Sequence, residues 1–363
     1  MKILILSASI GSGHTKAAEA IARAFSTVGQ SDVEVIDFMS ADVSRFNNLL
    51  KRLYLAILGL VPDLYDRIYR LAGARRVGPL TRLIWSTLMY LPFNRLIAAR
   101  APDVIVCTHP FPEAAAALWK FLHVKSARRF ILAAVLTDYS LHEIWLYSEV
   151  DAYFVATEEM KSELEKHSRL QQKIFSTGIP IDLKFNRSRR STTERALLMM
   201  GGGLGLGSIE KTLKELNSSD EKIFIRVVVG RNEKLLATLK KFRSRHSIEI
   251  LGYVDNVIEL MSRSTLLITK PGALTMTEAF AMGLPMILHA PIPGPEALNA
   301  KYAVDNGAAL SIAGGQSITA LVDELLNDRA RLEKMSAACL RLSRANAAAD
   351  IAEQIMQLAK EAQ

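Results

Sequence analysis

Residues 2–25 read KILILSASIGSGHTKAAEAIARAF, and this stretch sets the fold class. Ile3–Leu4–Ile5–Leu6 is a short unbroken apolar run, the pattern of a strand buried on both faces. Gly11–Ser12–Gly13 then turns the chain, and apolar residues from Lys16 to Phe25 recur at helical spacing. A strand leading through glycines into a helix opens a parallel βαβ unit. The apolar run is short for a secretory leader, no A-x-A-like site ends it, and it passes directly into the glycine turn. A first strand, Lys2–Ser7, therefore accounts for it better than a signal peptide.

Working outward, Val33–Asp37 reads as the next strand, Asp103–Cys107 as a strand ending in Thr108–His109–Pro110, and Phe130–Leu136 as one ending in Thr137–Asp138. Val150–Ala156 and Lys173–Ser176 are further short strands, the second leading into Gly178–Ile179–Pro180. The polar stretch Asn186–Arg195 reads as an interdomain linker, after which the pattern restarts. Arg195–Met200 runs into GGGLGLG at 201–207. Strands at Phe224–Gly230, Ile248–Leu251, Leu266–Thr269 and Met286–Ala290 follow, with a helical tail from Ile318.

This alternation predicts an α/β protein of two Rossmann-like, doubly wound domains, with a ligand cleft between them outside the carboxyl ends of the strands. The length of 363 residues suits two such domains. The expected division is residues 1–185, residues 186–340, and a C-terminal helix at 341–363 returning toward the first domain.

Half the residues are apolar and 23% are charged, an ordinary globular composition. Cys107 and Cys339 form no metal or redox spacing, and Cys107 reads as a buried strand thiol in a reducing, cytoplasmic compartment. The longest uncharged apolar runs, Leu53–Pro62 and Leu83–Phe93, fall far short of the roughly 18–20 residues that span a bilayer. The chain reads as soluble or peripheral.

The net charge of +8 is localised: Arg45–Arg100 carries ten Lys/Arg against Asp63 and Asp66, which equals the whole excess. Within it, Leu49–Leu60 and Leu80–Leu96 mix Leu, Ile, Trp85, Tyr90 and Phe93 with basic residues at near-helical spacing, as in an interfacial amphipathic helix. Nucleic acid is a rival partner for a basic patch, but no zinc-ligand spacing or RNA-binding motif accompanies it. An anionic membrane fits the apolar content better, with Trp85 or Phe93 inserted and Arg75, Arg76 and Arg82 supplying charge. A solvated basic face over an ordinary core is the alternative.

The glycine loops complete no common fingerprint. Lys16 stands where the third glycine of G-x-G-x-x-G belongs, and Ser208 where a Walker motif needs lysine. Strand, glycines and helix nevertheless bring backbone N–H groups to a phosphate at a helix N-terminus; the plainer reading is a tight turn. Lys270–Asn299, KPGALTMTEAFAMGLPMILHAPIPGPEALN, is the most specific segment. A turn at Pro271–Gly272 leads into a helix near Leu274, and Gly283 stops it. Glu278 in that helix suits a ribose diol or, alternatively, the helix dipole. Glu296 and Asn299 follow on a rigid Pro–Gly–Pro loop and suit sugar hydroxyls.

These segments carry a resemblance. SIGSGHTKAAEAI at 9–21, TDYSLHEIWLYSEVDAYFVATEE at 137–159, TGIPI at 177–181, MMGGGLG at 199–205, VVVGRNEKL at 227–235, LGYVDNV at 251–257 and the whole of 270–299 match one group over nearly the full length. The chain resembles the processive diacylglycerol glucosyltransferases and monogalactosyldiacylglycerol synthases of glycosyltransferase family 28, and more distantly the peptidoglycan N-acetylglucosaminyltransferase.

The resemblance implies a GT-B fold and inverting transfer of glucose or galactose from UDP-glucose or UDP-galactose to a diacylglycerol-type lipid, without metal or other cofactor. No D-x-D occurs in the sequence. It implies His14 as catalytic base, with Asp138 in reserve and local hydrogen bonding as the plainer role for His14. It places Gly13, Gly202, Gly203, Arg231, Asn232, Val254, Gly272, Thr275, Glu278, Glu296 and Asn299 on the donor, and His109, His142 and Trp145 on the acceptor side. It further implies a cytoplasmic protein at the cytoplasmic face of a membrane, while the lack of a zinc-ligand or RNA-binding motif argues for no nucleic-acid partner. A sugar-nucleotide epimerase on the same plan and a noncatalytic nucleotide- or membrane-binding protein are the competing functions.

Overall fold

A computed structural model describes residues 1–60, 78–124, 130–166, 172–187, 195–201, 209–289, 294–312 and 316–362. The chain forms two compact units: one holds Met1–Leu183 and Asn346–Gln363, the other Lys184–Ile292 and Glu296–Ala345.

The first unit runs β1 (Ile3–Ser7), α1 (Gly13–Thr27), β2 (Val33–Asp37), α2 (Arg45–Leu60), α3 (Gly78–Arg100), β3 (Val104–Cys107), α4 (Pro110–Leu122), β4 (Ile131–Val135), a 3-10 turn (Glu143–Trp145), β5 (Ala152–Phe154), α5 (Glu158–Glu165) and β6 (Lys173–Phe175). Its six parallel strands lie in the order β2-β1-β3-β4-β5-β6, with Ile3 opposite Val104 and Leu6 opposite Cys107. Every residue of β1 and β3 is buried, which explains their unbroken apolar runs. On one face Ile3, Ile5, Val104, Val106 and Phe154 pack against Ile21 and Phe25 of α1 and against Ile351 and Ile355 near the C-terminus. Helix α1 begins at Gly13 rather than Lys16, because Lys16 N–H already donates to Ser12 O at 3.1 Å, so His14 sits in its first turn.

The second unit comprises α6 (Lys184–Arg187), β7 (Ala196–Met200), α7 (Ile209–Leu216), β8 (Phe224–Val228), α8 (Glu233–Leu239), β9 (Ser247–Leu251), α9 (Val257–Ser262), β10 (Leu266–Thr269), α10 (Ala273–Met282), β11 (Met286–Leu288), α11 (Pro295–Asp305), β12 (Ala309–Ser311), α12 (Ile318–Asn327) and α13 (Arg329–Leu342). Its six parallel strands follow the order β12-β11-β10-β7-β8-β9. The last helix, α14 (Ala347–Glu361), belongs to the first unit and packs along α1.

Two sequence expectations change. Strand β12, three residues between Gly307 and the following loop, gave no periodic signal, and its pairing with β11 creates it. Asn186 and Arg187, read as linker, close the short helix α6; the linker residues 188–194 lie outside the described residues.

Helix α3 also corrects the choice of membrane anchors. Ser86, Met89, Phe93 and Ile97 form its buried stripe, and Phe93 is fully buried. Trp85 stacks on Phe111 of α4 at 4.3 Å between centroids, and Trp119 Nε1–H donates to Asn94 Oδ1 at 3.0 Å. Neither Trp85 nor Phe93 is therefore an exposed anchor. The exposed apolar residues are Leu80, Leu83, Ile84, Leu88 and Leu91, which recur at helical spacing on the other side. Among the described residues, no helix is long and apolar enough to cross a membrane.

Gly283 ends α10 at φ +61°, and a Cβ there would meet Leu340 Cγ at 3.1 Å. Gly283→Ala is expected to lower unfolding stability by about 1–2 kcal/mol from the left-handed backbone alone, read as a lower denaturant midpoint at unchanged slope.

Candidate functional site

Parallel doubly wound sheets splay their loops where the strand order reverses, and this determines which residues meet. In the first unit β1 lies between β2 and β3, so the loops after β1 and β3 diverge there. His14 follows β1, Thr108 and His109 follow β3, and Thr137 and Asp138 follow β4. The three loops converge on His14. Its Nδ1 lies 2.9 Å from Thr108 O and 2.7 Å from Thr137 Oγ1, while Thr108 Oγ1–H donates to His14 O at 3.1 Å.

A carbonyl oxygen only accepts, so Nδ1 carries the ring proton and the lone pair lies on Nε2. Burial is the strongest influence on this imidazole and lowers its pKa from 6.5; the Asp138 charge and the Thr108 carbonyl oppose it more weakly. The His109 ring meets His14 edge-on at 4.7 Å between centroids. His109 Nδ1 accepts from Phe111 N–H at 3.1 Å, capping α4, and burial, then the His14 charge, hold its pKa well below 6.5. Glu113, one turn into α4, is fully buried, and burial raises its carboxyl well above 4.5 despite the Arg82 charge. The pair of histidines is thus neutral at pH 7, with one ring nitrogen of His14 able to take a proton. Gly13 begins the helix that carries His14.

His142 and Trp145 lie on the 3-10 turn after β4. His142 Nδ1 accepts from Ile144 N–H at 3.2 Å; Trp145 is buried, and its carbonyl accepts from Tyr153 Oη–H at 2.8 Å. Arg82 of α3 holds this segment, donating to Leu146 O and pairing with Glu143 at 3.8 Å. Arg82 is therefore committed within the unit rather than offered to a surface; Arg75 and Arg76 lie outside the described residues.

In the second unit the reversal falls between β7 and β10. Thr269 pairs with Met200, and Thr269 Oγ1–H donates to Met200 O at 3.0 Å, so Lys270 stands beside the start of the glycine run. Gly202 and Gly203 lie outside the described residues. Gly272 caps α10, whose first turn holds Thr275 and no acid, and Glu278 follows Thr275 by three residues, on the same side of the helix. Glu296 forms an ion pair with Lys270 and lies 4.0 Å from a Cβ built on Gly272. Asn299 is fully buried, and its Nδ2–H donates to Pro271 O at 3.3 Å, fixing the turn before α10.

Arg231, Asn232 and Val254 gather at another corner. Val229 N–H donates to Leu251 O at 3.0 Å, joining the ends of β8 and β9. The Arg231 guanidinium lies over the Tyr253 ring at 4.9 Å. Asn232 Oδ1 accepts from Leu235 N–H at 3.0 Å and caps α8.

Sequence reasoning missed Thr108 and Thr137, which fix the His14 tautomer, and Lys270, the partner of Glu296. The recurrence of threonine just past the carboxyl ends of β3 and β4 was the available signal for the first two. Among the described residues no group of three His, Cys, Asp or Glu side chains is placed to hold a metal ion.

The monogalactosyldiacylglycerol (MGDG) synthase family profile matches residues 14–181, and the glycosyltransferase family 28 C-terminal domain matches residues 196–355. A processive diacylglycerol beta-glucosyltransferase of Bacillus cytotoxicus is 31% identical over 98% of this chain and 93% of its own. One of Bacillus cereus strain G9842 is 31% identical over 93% of this chain and 88% of its own.

Among solved structures, Acinetobacter baumannii MurG superposes with a TM-score of 0.62 at 16% identity, covering 98% of this chain and 99% of its own. A putative UDP-N-acetylglucosamine 2-epimerase of Listeria monocytogenes gives 0.59 at 16% identity, covering 97% and 94%. At such identities these likenesses establish the GT-B fold, which glycosyltransferase and epimerase share, and the sequence relatives establish the lineage. The chain belongs to the family of the processive diacylglycerol glucosyltransferases and monogalactosyldiacylglycerol synthases, within glycosyltransferase family 28.

Proposed function

We propose that the protein transfers glucose, the sugar named for the relatives above, from UDP-glucose to diacylglycerol or a related membrane lipid, with inversion at the anomeric carbon. The observation that carries the mechanism is the 2.9 Å contact of His14 Nδ1 with Thr108 O, which assigns the ring proton to Nδ1 and leaves the Nε2 lone pair free to act as base. The acceptor hydroxyl attacks the anomeric carbon, the bond to the UDP oxygen breaks, and Nε2 takes the hydroxyl proton. His109, His142 and Trp145 shape the acceptor side of the same unit.

In the second unit, Glu278 holds the ribose diol, Arg231, Asn232 and Val254 frame the uracil, and Glu296 reads the sugar hydroxyls. Negative charge developing on UDP meets backbone N–H groups of the glycine run, Gly202 and Gly203 among them, and the α10 N-terminus, whose first turn carries no acid. No metal or other cofactor is required in this scheme. The exposed leucines of α3 rest on an anionic membrane, from which the lipid enters.

The deciding experiment supplies UDP-glucose or UDP-galactose with diacylglycerol vesicles and identifies the lipid product by mass. A hexosyl-diacylglycerol formed from UDP-glucose is the expected result. Release of free sugar or an epimerised nucleotide sugar, with no lipid product, overturns the assignment. Glu278→Ala is expected to weaken UDP binding by about 1.5–3 kcal/mol, the range for a hydrogen bond to a charged group. Unchanged UDP affinity by calorimetry would remove Glu278 from the donor site.

A further inference from the structure

The turn that carries His14 is held at both ends. At its far end His14 is fixed by Thr108 and Thr137. At its near end Ser9 N–H donates to Asp37 Oδ1 at 3.0 Å, and Ser9 Oγ–H donates to Asp37 Oδ2. Asp37 Oδ1 also accepts from Met39 N–H at 3.0 Å. Lys51 of α2 completes the set: its Nζ donates to Ser9 Oγ at 2.8 Å and lies 3.7 Å from Asp37 Oδ2. The Ser9 hydroxyl thus donates to the carboxylate and accepts from the ammonium, so both of its capacities are used.

Four residues earlier on α2, the buried Asn47 donates through Nδ2 to Phe38 O at 2.9 Å. Two side chains of one helix therefore grip the loops after β1 and β2. Between Ser9 and His14 the chain contains Gly11 at φ +93° and Gly13, two residues that give the turn little stiffness of its own. Lys51 and Asp37 are both largely shielded, at 18% and 28% side-chain exposure, so their pairing is less screened than an exposed surface pair.

We propose that Lys51 is a positioning residue for His14, holding α2 and the Ser9–His14 turn in one arrangement through Ser9 and Asp37; the inference rests on the assignment of His14 as the base. Helix α2 also exposes Phe46, Leu49 and Leu53.

The test compares the parent with Lys51→Met, Lys51→Arg and the milder Ser9→Ala. It measures kcat and KM on diacylglycerol vesicles, UDP affinity by calorimetry, and the His14 ring resonances by NMR, assigned with a His14→Gln spectrum. Lys51→Met is expected to lower kcat by about 10²-fold, the cost of a misplaced reacting group, with KM for UDP-glucose and UDP affinity unchanged. The His14 resonances move, Ser9→Ala gives a smaller loss in the same direction, and Lys51→Arg restores most of kcat.

An unchanged kcat, unmoved His14 resonances, or a loss that arginine does not restore overturns the inference. Should the parent make no glycolipid, the assigned function fails. The NMR comparison then decides alone whether Lys51 positions the turn: moved resonances support it, unmoved ones end it.

Discussion

His14→Ala is expected to fold, to bind UDP as the parent does, and to lose about 10²–10⁴-fold in turnover, the usual contribution of a general base. The expectation follows from the division of labour between the units. His14 is held by Thr108 and Thr137 in the first, whereas Glu278, Gly272 and Lys270 lie in the second. Loss of the imidazole removes a proton acceptor without touching the residues assigned to the nucleotide. Stopped-time assays of lipid product, with calorimetry for UDP, separate the two effects. Turnover within a few-fold of the parent would make His14 a structural residue and move attention to Asp138.

The pH profile tests the same assignment independently. Burial outweighs the Asp138 charge and the Thr108 carbonyl, so the His14 pKa lies below 6.5. The neutral ring is the competent base, and it is lost as pH falls through that lowered pKa. The acid limb of kcat/KM is therefore expected to have its midpoint below pH 6.5, with the rate levelling off as pH rises past it. Half-loss at or above 6.5 would assign the limb to another group.

The strand–loop–helix order was legible because buried parallel strands carry their signal in unbroken apolar runs, as in Ile3–Leu6 and Val104–Val106. The reversal points follow from strand order, which one sequence does not display, so the convergence of His14 with Thr108, Thr137 and Asp138 emerged only from the fold. Helix α3 shows the other limit. Its stretch is apolar nearly all round, and periodicity could not say which stripe faces α4; Trp85 and Phe93 were therefore placed outward when packing turns them inward. His109, His142 and Asn232 each spend a side-chain atom on a helix or turn cap, a structural use that motif matching does not separate from a ligand contact. The Lys270–Glu296 pair spans the β11 unit between them, beyond the reach of local pattern.

Replacing Leu83, Ile84 and Leu91 with serine is expected to detach the protein from lipid vesicles, and the structure dictates that choice of residues. Leu83 and Leu91 are 58% and 63% exposed and share one side of α3 with Leu80 and Leu88, while the opposite stripe is fixed against α4. Fully burying a leucine or isoleucine is worth about 1.5–3 kcal/mol, and these three begin about half exposed, so losing them should weaken vesicle binding by about 10²-fold or more. A basic side chain at an anionic surface contributes only about 1 kcal/mol, and its reach is screened beyond roughly 8 Å at physiological salt. The charge arm of the test belongs on the exposed Arg45, Arg52 and Arg95, since Arg82 holds Glu143 and Leu146 inside the unit. Changing those three to glutamine should flatten the salt dependence and weaken binding less than the leucine changes do. Vesicle sedimentation in neutral and anionic lipid, at two salt concentrations, reads both arms, and unchanged UDP affinity shows that the second unit is intact. If the serine variant sediments as the parent does, the leucine side of α3 is an ordinary exposed face. The lipid acceptor must then reach His14 without that helix resting on the bilayer.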